Sequence, residues 1–396
     1  MSKATPFLST IPWDKYKVWV LAPHLETSDP NIDYYYDFTQ SIAEYTEVFA
    51  ELKANWQWQP ITLKDYKQVI FSIASTSNGV KPLIINLCDG DEVNGVPGVS
   101  IIHELEKYNL IYTGSDALFY VITTSKIAMK AAFDKAAVPT AAWEAIQSTN
   151  QNLEGIFERL GSPIIVKPSV SGGSMGVGIK NVVHNEDELK EQVQRMFDGY
   201  RGWQLTTDGI IAEAFINGPE YTVMIVGSYD KPDEAIIFTP VERIFHPSLP
   251  ENEKFLSFDR LWEIYEEESP MPAEENFYEY ELPDASLIEE IKRISWEAYV
   301  ATGGKGYTRV DLRMDKATGK IYVLEVNAQC GLSEDEDFTS IGAILRLSGK
   351  TFTQLVVGII KDALSSYTIA DDEESLAKPV YILPTTNTRK LRAKNK

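Results

Sequence analysis

The sequence predicts an α/β protein, and three observations carry that prediction. Short apolar runs at residues 17–23 and 82–88 are each followed by a loop and then a helical pattern, the alternation that builds parallel sheets with crossover helices. A glycine-rich loop follows the apolar run 164–166, and two alternating segments, 307–314 and 321–326, flank a polar turn at 316–319 as a strand pair. The chain has 396 residues, 44% of them hydrophobic and 11% aromatic, which is enough apolar surface to fill two or three packed subdomains.

In chain order, residues 17–23 (KVWVLAP) read as a buried strand, and the stretch through residue 52 as a loop and an amphipathic helix. Residues 82–88 (PLIINLC) form the next strand, ending in an acidic loop at 89–98, and 99–108 form a helix leading to a short strand at 111–114. A helical pattern runs from Thr124 until Pro139 stops it, because proline lacks the amide donor and crowds the preceding turn. Residues 164–166 and 178–183 read as a hairpin whose connection is too long for a tight turn, and 209–215 and 220–227 as strands around Asn217-Gly218-Pro219. The acidic, proline-interrupted stretch 263–281 reads as an exposed insertion, 287–302 and 351–365 as helices, and the tail after Asp371 carries no assignment. No internal repeat is visible.

The formal net charge of −21 argues against a nucleic-acid partner, since non-specific affinity for phosphate backbones comes from clustered Lys and Arg. The first residues lack a signal-peptide layout, and no stretch approaches the roughly 20 apolar residues of a membrane span. Cys88 and Cys330 are the two cysteines, without metal-ligand spacing, and His24, His103, His184 and His246 form no pattern. A reducing, cytoplasmic setting without membrane attachment is the expectation.

Two stretches carry chemistry. Lys167-Pro168-Ser169 precedes Gly172, Gly173, Ser174, Gly176 and Gly178. Glycines let backbone N–H groups approach phosphate oxygens, and a lysine on the preceding strand adds a fixed charge. Taken alone, the pattern fits a flexible hairpin loop equally well. The second stretch spaces Asp311, Glu325 and Asn327 so that strand alternation can bring two carboxylates and an amide oxygen to one face. Such hard ligands suit Mg²⁺ that also touches phosphates. A solvated polar face of an edge hairpin would present the same residues, but Val310, Leu312, Val323, Leu324 and Val326 make the rest of these strands apolar. Arg309 lies where it can stabilise developing negative charge.

The order of these motifs resembles the ATP-grasp superfamily: Lys126 on a helix, Lys167 with its glycine-rich loop, Glu213-Ala214-Phe215-Ile216 before Gly218-Pro219-Glu220, then Arg309-x-Asp311 and Glu325-x-Asn327. Within it, the chain looks like the D-alanine–D-alanine ligase family from about residue 87 to about 360, including Tyr112-Thr113-Gly114-Ser115 and Gly331-Leu332. The resemblance implies an ATP-grasp fold of three subdomains: a parallel-sheet N-terminal domain (1–120), a small central lid (121–208) and a larger C-terminal α+β catalytic part (209–370), followed by a tail (371–396).

It also implies roles. Lys126 and Lys167, with Ser174 in the loop, would meet ATP phosphates; the Glu213, Ala214 and Ile216 segment would read the adenine and Glu220 the ribose hydroxyls. Asp311, Glu325 and Asn327 would hold two Mg²⁺ ions, Mn²⁺ being an admissible substitute, with Arg309 at the reaction centre and Lys254 on a mobile loop over the γ-phosphate. The implied reaction converts a carboxylate to an acyl phosphate and then to an amide, with release of ADP and phosphate. A homodimer is implied as well.

The substrate positions depart from the family pattern. Glu26 stands only out of register for the family's ammonium-binding glutamate; Gly173 and Phe255 replace a serine and a tyrosine; and Glu336 stands where a serine would bind a carboxylate near Gly331. A glutamate there repels a carboxylate and attracts a cation. The expectation is a retained ATP machinery with rebuilt pockets for a small carboxylate and a cationic amine, other than D-alanine for both. The aromatic cluster Tyr34-Tyr35-Tyr36 and the acidic insertion are candidates for shaping those pockets, although ordinary packing and a solvated lid surface explain them better.

Overall fold

A computed structural model describes residues 11–25, 37–76, 79–199, 202–262, 268, 270–271, 275–335 and 339–373, the stretch 368–373 by backbone alone. The first layer is a four-stranded parallel sheet of order β2-β1-β3-β4. Its elements are β1 (Tyr16–Pro23), α1 (Thr39–Leu52), β2 (Asn55–Ile61), α2 (Tyr66–Ser75), β3 (Lys81–Asn86), α3 (Val99–Lys107) and β4 (Ile111–Tyr112). β1 pairs on both sides and carries fully buried Val18, Val20 and Leu21. β2 lies at the edge, where half-buried Trp56 and Trp58 alternate with exposed Asn55 and Gln57. Neither β2 nor α2 was expected. The Asn/Gln content and Pro60 argue against a central strand, but an edge strand tolerates both.

The helical pattern expected from Thr124 to Pro139 is one helix, α5 (Lys126–Ala136), and an unexpected helix, α4 (Ala117–Thr124), precedes it. Ser125 separates them and accepts from the Ala128 N–H at 3.2 Å as the cap of α5. The second helix stops at Ala136, ahead of the proline, because Ala137 turns left-handed at φ 57°.

The central sheet has the order β5-β8-β6-β7, from β5 (Trp143–Ile146), β6 (Ile164–Pro168), β7 (Val182–Val183) and β8 (Ile210–Ala214), backed by α6 (Ile156–Leu160) and α7 (Glu186–Asp198). β6 and β7 pair antiparallel through Ile164↔Val183 and Ile165↔Val182, with the glycine-rich loop between them. The third sheet is antiparallel, of order β12-β11-β9-β13-β14 with β10 also on β9. It comprises β9 (Glu220–Val226), β10 (Ile236–Ile237), β11 (Val241–Phe245), the short α8 (Phe258–Leu261), β12 (Tyr278–Glu281), α9 (Ile288–Ala301), β13 (Tyr307–Met314) and β14 (Ile321–Ala328). α10 (Ser340–Ser348) and α11 (Phe352–Glu373) complete the described fold.

The strands on either side of Asn217-Gly218-Pro219 do not pair with each other: β8 pairs in the central sheet and β9 in the C-terminal one. The chain therefore crosses between sheets at this point, and a division of subdomains at 208/209 cuts between β8 and its own sheet. Gly218 is needed at the crossing, since at φ 154° a Cβ would lie 2.2 Å from the Met314 carbonyl oxygen. The stretch 263–281 is also not simply exposed. Glu268 is buried, accepting from the Ile179 N–H (3.0 Å) and the Ser257 hydroxyl (2.6 Å), and β12 pairs with β11.

One apolar core is shared by β1, β3, α1, α10 and α11 with strand residues Met224 and Tyr307, and a second packs α5 and α9 under Val310, Leu312 and Val323. Each fully buried Val, Leu or Ile contributes about 1.5–3 kcal/mol, so the first of these cores fixes how the first and third sheets face one another. Among the described residues no single helix is long and apolar enough to cross a membrane. The two cysteines are buried and unbridged.

Candidate functional site

Between the three sheets lies a cleft of about 1650 Å³. Its floor is the face of the C-terminal sheet, and strand register lays the polar residues out in rows. Tyr280, Arg243, Glu220 and Arg313 form one row across β12, β11, β9 and β13; Thr222, Asp311 and Glu325 form the next; Met224, Arg309 and Asn327 the third. Antiparallel pairing with a two-residue side-chain period brings these residues to one face despite long sequence separations.

Asp311, Glu325 and Asn327 meet as the spacing predicts. The Asn327 amide Nδ2 donates to Asp311 Oδ2 at 3.0 Å and to Glu325 Oε1 at 3.3 Å. Asp311 also accepts from the Thr222 hydroxyl (2.7 Å) and from Arg309, whose Nη2 lies 2.9 Å from Oδ2. Burial pushes the Asp311 carboxyl up, but Arg309, Arg243 and the Thr222 hydroxyl outweigh it and hold the group below its ordinary value. Two carboxylates and an amide within hydrogen-bond reach of one another fit a hard divalent cation, with the amide rotated to present its oxygen. No third His, Cys, Asp or Glu joins them among the described residues.

Lys126, at the start of α5, and Lys167, on β6 of the central sheet, line the same cleft. Lys126 donates to the Ser171 carbonyl of the glycine-rich loop at 3.2 Å and lies 3.7 Å from Glu325 Oε2, bridging loop and metal-type cluster. Lys167 is ion-paired with Glu213 Oε1, and the other carboxylate oxygen lies 2.5 Å from Lys130 Nζ. Glu213 and Lys130 are each 1% exposed. Although burial raises the Glu213 carboxyl, its two ammonium partners win and bring it down to about 2. Lys130 went unnoticed in the sequence, yet its signal was present: it follows Lys126 at i+4, which puts both ammoniums on one helix face. Beyond β8, Ala214, Phe215 and Ile216 line the cleft, and Ile216 makes no backbone hydrogen bond among the described residues.

Glu220 lines the cleft and is ion-paired with Arg243. Ser174 sends its hydroxyl to the Leu256 carbonyl (3.0 Å), and Trp262 Nε1 donates to the Gly173 carbonyl (2.9 Å), stitching the glycine-rich loop to 255–262. Phe255 packs with Phe215, Ile165 and Val177. Lys254 does not join the other candidates. Its ammonium lies 2.5 Å from Glu251, three residues back, and it is the carbonyl of Lys254 that Arg313 grips. Gly331 lines the cleft with Leu332 and Ser333. Glu26, Glu336 and the Tyr34-Tyr35-Tyr36 cluster lie outside the described residues.

The cleft is lined by Asp37, Asp89 and Asp91 as well as by Lys126, Lys167, Arg243, Arg309 and Arg313. Asp89 is open to the cleft but ringed by protein, and burial together with Asp91 pushes its carboxyl up to about 6. None of the three aspartates, nor Arg243, Arg313 or Thr222, stands in a recognisable motif. Only the register and the loop packing make them neighbours of the site.

Residues 132–361 match the family model described as D-ala D-ala ligase C-terminus. A D-alanine–D-alanine ligase of Marinobacter nauticus is 29% identical over 254 residues, 64% of this chain and 67% of the relative. One from Acetivibrio thermocellus is 26% identical over 341 residues, covering 78% and 81%. Among solved structures, the D-alanine–D-alanine ligase from Bacillus anthracis complexed with ATP superposes with a TM-score of 0.62 at 19% identity, covering 90% of this chain and 99% of that one. VanG D-Ala:D-Ser ligase from Enterococcus faecalis gives 0.62 at 16% identity, covering 89% and 99%.

Proposed function

The chain belongs to the D-alanine–D-alanine ligase family, with its ATP-grasp fold, and from that premise we propose that it is an ATP-dependent ligase joining a small carboxylate to an amine through an acyl phosphate. The observation that carries this reading is the single cleft in which Lys126, Lys167, Arg309, Asp311, Glu325 and Asn327 converge. A substrate carboxylate oxygen attacks the γ-phosphorus and ADP leaves. The amine then attacks the acyl carbon and inorganic phosphate leaves. Such transfer needs positioning and charge neutralisation more than a protein nucleophile, and the cleft offers that combination.

Asp311, Glu325 and Asn327 would hold Mg²⁺, which when bound neutralises the phosphate oxygens. Lys126 and Lys167 orient the phosphates, Arg309 faces the charge that develops at the reacting centre, and the backbone at Ala214–Ile216 with Glu220 receives the nucleoside. The glycine-rich loop, tied to Leu256 and Trp262, keeps water from the acyl phosphate. Lys254 reaches the γ-phosphate only after leaving Glu251.

The amine substrate is cationic in this reading, because Asp37, Asp89 and Asp91 put three carboxylates on the lining of the cleft. A second reading, D-alanine–D-alanine ligase activity, is favoured by the names of the relatives at 26–29% identity. ADP release separates the two. The purified protein is assayed with ATP, Mg²⁺ and D-alanine alone, and with D-alanine or other small carboxylates paired with diamines and basic amino acids. Turnover that needs the cationic amine supports the first reading; robust turnover with D-alanine alone refutes it. Nucleotide binding without ADP release under any pair would instead mark an ATP-binding regulator. Light scattering of the same preparation tests the homodimer that the family resemblance implies.

A further inference from the structure

Tyr280, Arg243, Glu220 and Arg313 occupy directly opposed positions on four adjacent strands, so their side chains share one row of the cleft floor. Arg243 is 6% exposed, as is Glu220. A guanidinium this deeply buried is tolerable only if its donors and faces are satisfied. Nη1 goes to Glu220 Oε1, and Nε and Nη2 donate to the Tyr280 hydroxyl at 3.2 and 2.9 Å. The rings of Tyr278 and Tyr280 lie 5.1 and 5.4 Å from the guanidinium carbon. Arg243 is therefore committed to the protein and is not a ligand for an incoming anion.

Glu220 is held from that one side. Arg313, its other row neighbour, spends Nε on the Gly218 carbonyl (3.1 Å) and Nη2 on that of Lys254. Glu220 Oε2 accepts no hydrogen bond among the described residues, and the side chain lines the cleft. A carboxylate gripped at one oxygen presents the other in a fixed direction, the geometry a vicinal diol needs from an acceptor.

We infer that Arg243 is a positioning residue that locks Glu220 toward the cleft and thereby sets the preference for ribonucleotides over 2′-deoxyribonucleotides. The inference rests on the reading of the cleft as an ATP site with the sugar at Glu220, and adds what enforces that recognition. Tyr280 is the second member of the device, because its hydroxyl fixes the guanidinium plane.

Calorimetric titration with ATP and with 2′-deoxy-ATP, each with Mg²⁺, tests it on the full chain, with thermal melting as the check on folding. The wild type is expected to favour ATP by about tenfold, the worth of one hydrogen bond to a charged acceptor, and Glu220→Gln to reduce that ratio to about one. Arg243→Lys keeps the charge but loses the fork, and its ratio is expected to fall to about threefold or less. Tyr280→Phe leaves the ion pair intact and moves the ratio the same way, so it decides the matter if Arg243→Lys fails to fold. Wild-type ratios in both variants, with discrimination abolished in Glu220→Gln, would overturn the role of Arg243. An unchanged ratio in Glu220→Gln would instead overturn the sugar assignment, and a wild type that binds neither nucleotide would overturn the ATP site itself.

Discussion

Replacing Lys130 by methionine should destabilise the fold by about 2–3 kcal/mol at neutral pH, and the structure says why. The ammonium lies 2.5 Å from Glu213 Oε2 and donates to the Thr140 hydroxyl at 2.7 Å, with both ionic partners 1% exposed. Removing one member of a buried pair typically costs about 3–5 kcal/mol, because the other charge is left uncompensated. Here Lys167 still holds Oε1, so the loss falls below that range. A second route points to the lower end of that estimate: lowering the Glu213 carboxyl from 4.5 to about 2 corresponds to roughly 3 kcal/mol shared between its two lysines, somewhat under 2 kcal/mol each if split evenly. Burial holds Lys130 below its own ordinary value, which offsets part of the gain and favours the lower end.

The pH dependence follows from the sign of the shift. A depressed carboxyl stabilises the fold above its unfolded value of about 4.5 and loses that contribution as pH falls towards about 2. The stability gap between wild type and Lys130→Met should therefore be full at pH 7 and narrow below about pH 4.5. Urea unfolding at a series of pH values reads this directly. A gap under about 0.5 kcal/mol at pH 7, or one that does not narrow in acid, would refute the buried-triad argument. Lys130→Met combined with Glu213→Leu should cost less than the two single losses together.

Three further outcomes are expected. Thr222→Val removes the 2.7 Å bond that orients Asp311 and should weaken Mg²⁺ affinity in the presence of ADP by about 10–100-fold, read by metal titration. Binding of a cationic amine should strengthen as pH rises through about 6, where Asp89 ionises, and Asp89→Asn should flatten that profile in pH-dependent KM measurements. Glu325→Gln should abolish ADP formation with little change in melting temperature, because Glu325 is only partly buried; Lys167→Ala should lose both activity and stability, since it leaves Glu213 half-paired.

The meeting of Asp311, Glu325 and Asn327 and the place of Lys167 beside the glycine-rich loop were legible because their chemistry is written in local spacing. A lysine ahead of glycines, and alternate polar residues on apolar strands, already restrict what the backbone can place together. Arg243, Glu220 and Tyr280 were not legible as a unit, since their adjacency depends on which strands pair and in which register. The stretch 263–281 misled for the same reason: acidic composition suggests solvent, but Glu268 finds buried partners in Ser257 and the Ile179 N–H.

The order of motifs from Lys126 to Asn327 determined the family and the fold class and singled out the candidate lysines and metal-type residues, because each motif is a contiguous piece of chain with its own chemical constraint. Tertiary structure decided what those pieces hold onto. It tied Lys167 and Lys130 to one carboxylate, Lys254 to Glu251 and Arg243 to Glu220, and it brought Asp37, Asp89 and Asp91 to the lining of the same cleft. Charges brought together by packing alone leave no pattern along the chain.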